Sequence, residues 1–71
     1  MISTITFDMP PAKTALFKAI VESYDNLATL RTENPDLHRL RLSCAVESLD
    51  EVLKLLDELT AEFSITRVVI A

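Results

Sequence analysis

The chain has 71 residues, a net charge of −4, a pI near 4.7, 49% hydrophobic residues and no glycine. This length suits one small domain, and a single cysteine and a single histidine exclude an internal disulfide and a four-ligand zinc site. The negative charge disfavours non-specific binding of nucleic acid, and no apolar run approaches the roughly 20 residues of a membrane-spanning helix.

The first segment alternates between apolar and polar residues. This pattern predicts a half-buried strand at Ile2–Asp8 with Ile5 and Phe7 facing the core. Prolines end the strand and open a helix predicted over residues 11–24, since proline is tolerated in the first helical turn. Asp25 and Asn26 are predicted to end this helix. Its predicted apolar stripe consists of Ala12, Leu16, Ala19, Ile20 and Tyr24.

A hairpin is predicted next, with strands over residues 27–32 and 37–46 and a turn over residues 33–36 that contains Pro35. Alternation in the second of these strands is regular. Arg39 and Arg41 are predicted to point away from the core. The residues predicted to point inward are Leu40, Leu42, Cys44 and Val46.

A second helix and a final strand complete the pattern. Ser48 and Glu51 have the spacing of a capping box, and the strand is predicted over residues 64–70. The apolar stripe of the helix consists of Leu49, Val52, Leu53, Leu56 and Leu59. Two successive strand-helix-strand units predict a single α+β domain over residues 1–71. Its fold is a ferredoxin-like βαββαβ fold, with a four-stranded antiparallel sheet and two helices on one face.

The residues that most often carry chemistry do not form a catalytic pattern. Cys44 is predicted to be buried and inert, and His38 to be solvated at the entrance of its strand. Most carboxylates fall on outer helix faces or in turns, and phosphate-binding loops require glycine. We therefore expect no enzymatic activity, no cofactor and no metal.

The arginines are more informative. Arg31, Arg39, Arg41 and Arg67 all fall in predicted strands, in phases that point away from the helices. The open face of the sheet, on the side away from the helices, should be locally basic and could hold an anion or an acidic protein partner. RNA-binding sheets of this architecture use exposed aromatic residues, and the only aromatic residue in a predicted strand, Phe7, points inward. Nucleic acid is therefore not expected as a partner, although an RNA binder or a small enzyme stays as a third hypothesis.

Residues 17–32, from Phe17 through the pair Tyr24 and Asp25 to Arg31 and Thr32, carry a family resemblance. Together with the length and the strand order, this segment resembles the short uncharacterised bacterial proteins related to ACT domains. The resemblance implies a non-enzymatic regulatory module that binds an amino acid or a small anion at a homodimer interface. The site residues that it implies are Asp8, Met9, Asn26 and Leu27.

The mean hydropathy of +0.27 is high for so small an interior, and it favours self-association, with a dimer as the expected state. The first residues lack the basic and apolar regions of a signal peptide, so a cytoplasmic protein with no membrane partner is expected. The leading hypothesis is the ACT-like ligand-binding dimer. The alternative is a protein interaction module that uses the arginine-bearing open face.

Overall fold

The computed structural model describes residues 1–24 and 27–70, and within these residues the chain forms four strands and two α-helices. A 3₁₀ turn precedes each helix, at Pro11–Lys13 and at Val46–Ser48. In chain order the elements are β1 (Ile2–Asp8), α1 (Thr14–Glu22), β2 (Thr29–Asn34), β3 (Arg39–Ala45), α2 (Leu49–Phe63) and β4 (Thr66–Ile70).

The strands form one antiparallel sheet in the order β2-β3-β1-β4. The long pairing of β1 with β3 lies at the centre, with Ile5 opposite Leu42 and Phe7 opposite Leu40. β2 and β4 are the two edge strands, each paired with one neighbour. This order confirms the predicted ferredoxin-like α+β fold.

The core lies between the helices and one face of the sheet. Three phenylalanines from three elements meet there, with the ring of Phe17 5.5 Å from that of Phe7 and 5.3 Å from that of Phe63. Each of these rings is at most 1% exposed. Aromatic side chains bury about 150–250 Å² each, so this cluster is a major part of the small core. Leu40, Leu42 and Cys44 of β3 are buried as the alternation predicted.

The apolar stripe predicted for the first helix is wrong. Phe17 and Val21 are the buried residues of α1, whereas Leu16 is 56% exposed and Tyr24 46% exposed. Ala12 and Ala19 are also exposed, and Ile20 is half-buried. The physical reason is that the 3₁₀ turn breaks the helical phase before Thr14, and the large ring of Phe17 gains more from burial than Leu16 does.

The start of the second helix also differs from the prediction. Ser48 has φ −95° and ψ −1° and makes no capping hydrogen bond with its side chain. A capping serine requires an extended backbone, and the 3₁₀ turn over Val46–Ser48 prevents this, so the predicted capping box does not form. The same turn takes Val46 out of β3 and leaves it 44% exposed, where the alternation predicted an inward side chain.

The hairpin begins two residues later along the chain than predicted. β2 begins at Thr29 and continues to Asn34, and the turn lies over residues 35–38. The Asn34 side-chain oxygen accepts hydrogen bonds from the backbone N–H groups of Asp36 (3.0 Å) and Leu37 (3.3 Å). Through these bonds the asparagine side chain mimics a backbone turn and starts the reversal of the chain, so β2 continues as far as Asn34. The predicted helix end at Asp25 and Asn26 lies outside the described residues.

Candidate binding face of the sheet

All four arginines lie in strands. The pairing register places Arg31 opposite Arg41, Arg41 opposite Thr6, and Arg39 opposite Asp8. Their neighbours in sequence, such as Leu40 and Leu42, are buried beneath the helices. Because successive side chains of a strand point to opposite faces, these arginines lie on the open face of the sheet.

The Asp8 carboxylate neutralises Arg39. Arg39 Nε donates to Asp8 Oδ1 at 2.8 Å and Arg39 Nη2 donates to Oδ2 at 3.2 Å, a bidentate pair across β1 and β3. This hydrogen bonding lowers the pKa of the Asp8 carboxyl, and the charges of Arg39, Arg67 and His38 lower it further against the opposing effect of burial. The same hydrogen bonding raises the pKa of Arg39. The Arg39 guanidinium thus forms an ion pair that joins the two central strands.

A β-bulge in β4 brings Arg67 to the same carboxylate. The register between β1 and β4 shifts between Thr6 and Asp8, and Arg67 has a left-handed backbone with φ 55°. A bulge redirects a side chain, and here Arg67 Nε lies 3.7 Å from Asp8 Oδ2. The Arg67 side chain is still 75% exposed, so its guanidinium remains open to solvent.

The second half of the open face has the same number of charges, but its arginines are paired less closely with a carboxylate. Arg31 and Arg41 are direct cross-strand partners, and like charges in this position repel each other. Arg41 Nε lies 3.2 Å from Glu33 Oε2, yet this buried nitrogen has no hydrogen bond of acceptable geometry within the described residues. The ion pair is therefore held by charge alone. Arg31 is exposed and forms no ion pair with any residue that the structure describes.

Charge is distributed unevenly between the two sides of the molecule. The open face carries four guanidinium groups and two carboxylates, which leaves a positive surplus within a chain of net charge −4. On the helix side, one lysine and five acidic residues occupy α2. Four of the acidic residues are exposed as predicted, namely Asp50, Asp57, Glu58 and Glu62, and Glu51 is exposed as well.

The residues implied by the ACT resemblance do not form one site within the chain. Asp8 and Met9 lie where β1 leads towards α1, and Leu27 lies beyond the other end of α1. Met9 is 3% exposed and Leu27 9% exposed, and both belong to the core. Asn26 lies outside the described residues. Of the three that the structure describes, Asp8 is the one whose side chain reaches the open face.

The end of the sheet near Asp8 also has unusual backbone geometry. Besides Arg67, His38 (φ 54°) and Ser64 (φ 53°) have left-handed backbones without being glycine. Both line a shallow, open depression of about 280 Å³, together with Asp8, Met9, Pro10, Leu37 and Thr66. A left-handed backbone has a steric cost for any residue with a Cβ atom, and such residues often cluster at functional sites.

The remaining chemically reactive side chains add no catalytic arrangement. Cys44 is buried, which raises the pKa of its thiol, and His38 is exposed, both as predicted. Among the described residues, no three His, Cys, Asp or Glu side chains are placed to hold a metal ion. Sequence reasoning missed Glu33 as the counter-charge of Arg41 because the segment reads as a turn. It also missed the Asp8 to Arg39 pair, since strand register is not visible in one sequence.

Comparison with known proteins gives a family but no function. A family model described as a domain of unknown function (DUF4911) matches residues 7–62, which is more than half of the chain. No curated protein and no solved structure gives a significant match. Within the described residues, no helix is long and apolar enough to cross a membrane.

Proposed function

The chain belongs to the DUF4911 family, and we propose that it is a non-enzymatic interaction module whose open face binds an acidic protein partner. One observation carries this proposal: Arg31 lies directly opposite Arg41, and among the described residues Glu33 is the one carboxylate that forms an ion pair with either of them. An incoming carboxylate would relieve the repulsion between the two guanidinium groups, which are well suited to bidentate recognition of carboxylates. The absence of exposed aromatic residues on the described strands favours protein over RNA.

The variant Arg31→Glu tests this proposal with little risk to folding. Its new carboxylate would lie opposite Arg41, so the cross-strand pair would become attractive. Arg39 is a poorer choice, because its replacement would break the ion pair with Asp8. The matched control is Lys54→Glu, which makes the same change of charge on the exposed side of α2.

The measurement is binding of fluorescently labelled poly-glutamate, with a mixed RNA pool and poly-lysine as comparators. We expect poly-glutamate to bind, Arg31→Glu to weaken it at least tenfold, and Lys54→Glu to leave it within twofold of the unchanged protein. Equal affinity for the two variants would contradict the proposal. Preference for RNA over poly-glutamate would point to a nucleic-acid partner instead.

A second candidate is the ACT-like regulatory dimer, with an amino acid or a small anion bound between subunits. The specific observation in its favour is the edge strand β4, all of whose residues are exposed, including Val68, Val69 and Ile70. An apolar edge strand can pair with a second copy. Asp8 and Arg67 lie beside this edge, so a carboxylate ligand would meet charged groups there.

Light scattering after size-exclusion chromatography tests the dimer, and thermal shift with each of the twenty amino acids at millimolar concentration tests the ligand. A dimer that dissociates on introduction of Val69→Lys, and an increase in Tm with one or a few amino acids, would support the second candidate. A monomer at all concentrations would remove it, since Asp8 and Leu27 lie at opposite ends of α1 within one chain.

A further inference from the structure

The edge strand β2 combines a free backbone edge with basic side chains. It pairs only with β3, and each of its residues is exposed or half-buried. An extended peptide can add to such an edge through main-chain hydrogen bonds, and pockets for alternate side chains then determine specificity. The other edge, β4, presents Val68, Val69 and Ile70, and its one charged residue, Arg67, lies 3.7 Å from the Asp8 carboxylate.

A groove runs along the inner side of β2. The helix α1 is only nine residues long, and it leaves a space of about 470 Å³ between itself and β2. Thr14 and Lys18 line this space from α1, and the residues that line it from the sheet are Leu30, Arg31, Thr32, Leu40 and Arg41. Half-buried Leu30 and buried Leu40 supply the apolar part of a lining that is otherwise polar and basic.

The two sides of β2 therefore differ in chemistry. By strand register the Arg31 side chain points to the open face and those of Leu30 and Thr32 to the helix side, although Arg31 also borders the groove. A strand added beside β2 would point its side chains alternately to these two sides, because the side-chain period of a strand is two residues. Acidic side chains would meet Arg31, and apolar side chains would enter the groove.

We infer that the partner contacts this protein through an extended segment of alternating acidic and apolar residues that pairs with the edge of β2. This inference rests on the proposed function and specifies its mode of binding. The register shift between Thr32 and Asn34 interrupts the regular ladder. Pairing is therefore confined to the part of β2 before Glu33, whose carboxylate would repel an acidic side chain placed beside it.

The test uses three synthetic peptides labelled with a fluorophore: four Glu–Val repeats, a block peptide of four Glu followed by four Val, and the repeat peptide N-methylated at alternate residues. The block peptide has the same composition without the alternation. N-methylation removes the main-chain donors that a β-ladder requires. Binding is followed by fluorescence anisotropy at low peptide concentration.

We expect the repeat peptide to bind at least tenfold more tightly than either comparator, and Arg31→Glu to remove this preference. Val69→Ser, which changes the opposite edge strand without changing the charge, should leave the affinity within twofold of that of the unchanged protein. Equal binding of the repeat and block peptides would overturn the inference while leaving the proposed function in place. Loss of binding in Val69→Ser but not in Arg31→Glu would also overturn it. Failure of poly-glutamate to bind at all would instead remove the proposed function.

Discussion

Arg31 and Arg41 lie directly opposite each other in adjacent antiparallel strands, with their side chains on the same face of the sheet. Such a pair opposes folding, because two positive charges are held a short distance apart and, in the described part of the chain, Glu33 alone forms an ion pair with one of them. Arg39, two residues from Arg41, is fully paired with Asp8. Each half of the open face therefore holds two guanidinium groups and one carboxylate, but the carboxylate is tightly paired around Asp8 and loosely paired around Arg31.

Replacing Arg31 with threonine should stabilise the fold and weaken the binding of acidic ligands. Threonine favours strands and removes the repulsion from Arg41, so we expect a gain of roughly 0.2–1 kcal/mol in the free energy of unfolding. Urea denaturation followed by circular dichroism measures this gain. The control Lys54→Gln removes one positive charge from α2 and should stay within about 0.5 kcal/mol of the unchanged protein. A clear loss of stability in Arg31→Thr would show that Arg31 has a structural partner.

The ion pair between Asp8 and Arg39 should make the free energy of unfolding depend on pH in the acidic range. The folded-state pKa of Asp8 is lowered from its ordinary value of 3.8, so folding favours the carboxylate form. The stabilisation is fully present above the unfolded-state pKa and is lost as the pH falls through the folded-state pKa. We expect the urea midpoints of the unchanged protein and Asp8→Asn to differ at pH 6 and to converge as the pH falls well below 3.8. A difference that persists or increases in acid would contradict this, and Asp57→Asn on α2 controls for the loss of one carboxylate.

Glycine at Ser64 should stabilise the protein. Ser64 follows α2 with φ 53°, a conformation that costs a residue with a Cβ atom roughly 1–2 kcal/mol and costs glycine almost nothing. Allowing for the greater flexibility of glycine when unfolded, we expect Ser64→Gly to gain about 0.5–1 kcal/mol. Ser43→Gly, in the regular strand β3, should lose a similar amount. Thermal unfolding of the two variants side by side checks the contrast, and a loss of stability in both would refute it.

Alanine variants of Phe17 and Leu16 test which face of α1 is buried. Phe17 contacts both Phe7 and Phe63, so Phe17→Ala should cost about 3–5 kcal/mol and could leave the chain largely unfolded. Replacing its exposed neighbour Leu16 with alanine should lower the free energy of unfolding by less than about 1 kcal/mol. Comparable losses for the two variants would contradict the observed face of α1. Circular dichroism and urea denaturation supply the measurement.

The parts of the fold that could be predicted are those where one periodicity dominates. In β3, large apolar residues alternate with arginine and serine, so both the strand and its buried face were apparent. In α1, apolar residues occupy more than one face, and the short 3₁₀ turn that fixes the phase leaves no clear sequence signal. The stripe containing Leu16 was therefore chosen instead of the one containing Phe17 and Val21.

The candidate site could be predicted only in its composition. Strand phase placed the arginines on one face, but the pairing of Arg39 with Asp8 depends on register, which a single sequence does not show. The bulge that turns Arg67 towards Asp8 was also hidden, because left-handed backbones usually coincide with glycine and this chain has none. The sequence predicts Glu33 in a turn, whereas it lies within strand β2, next to the final residue Asn34.

The opposite charges of α2 and the open face give the molecule a permanent electric dipole across its thickness. In dilute salt, a polyanion would exert a torque on the approaching protein and rotate its arginines forward before any contact is made. Collisions from the helix side would be repelled, so encounters would be sorted by orientation. At an ionic strength of 0.15 M, screening over about 8 Å confines this sorting to the last stage of approach.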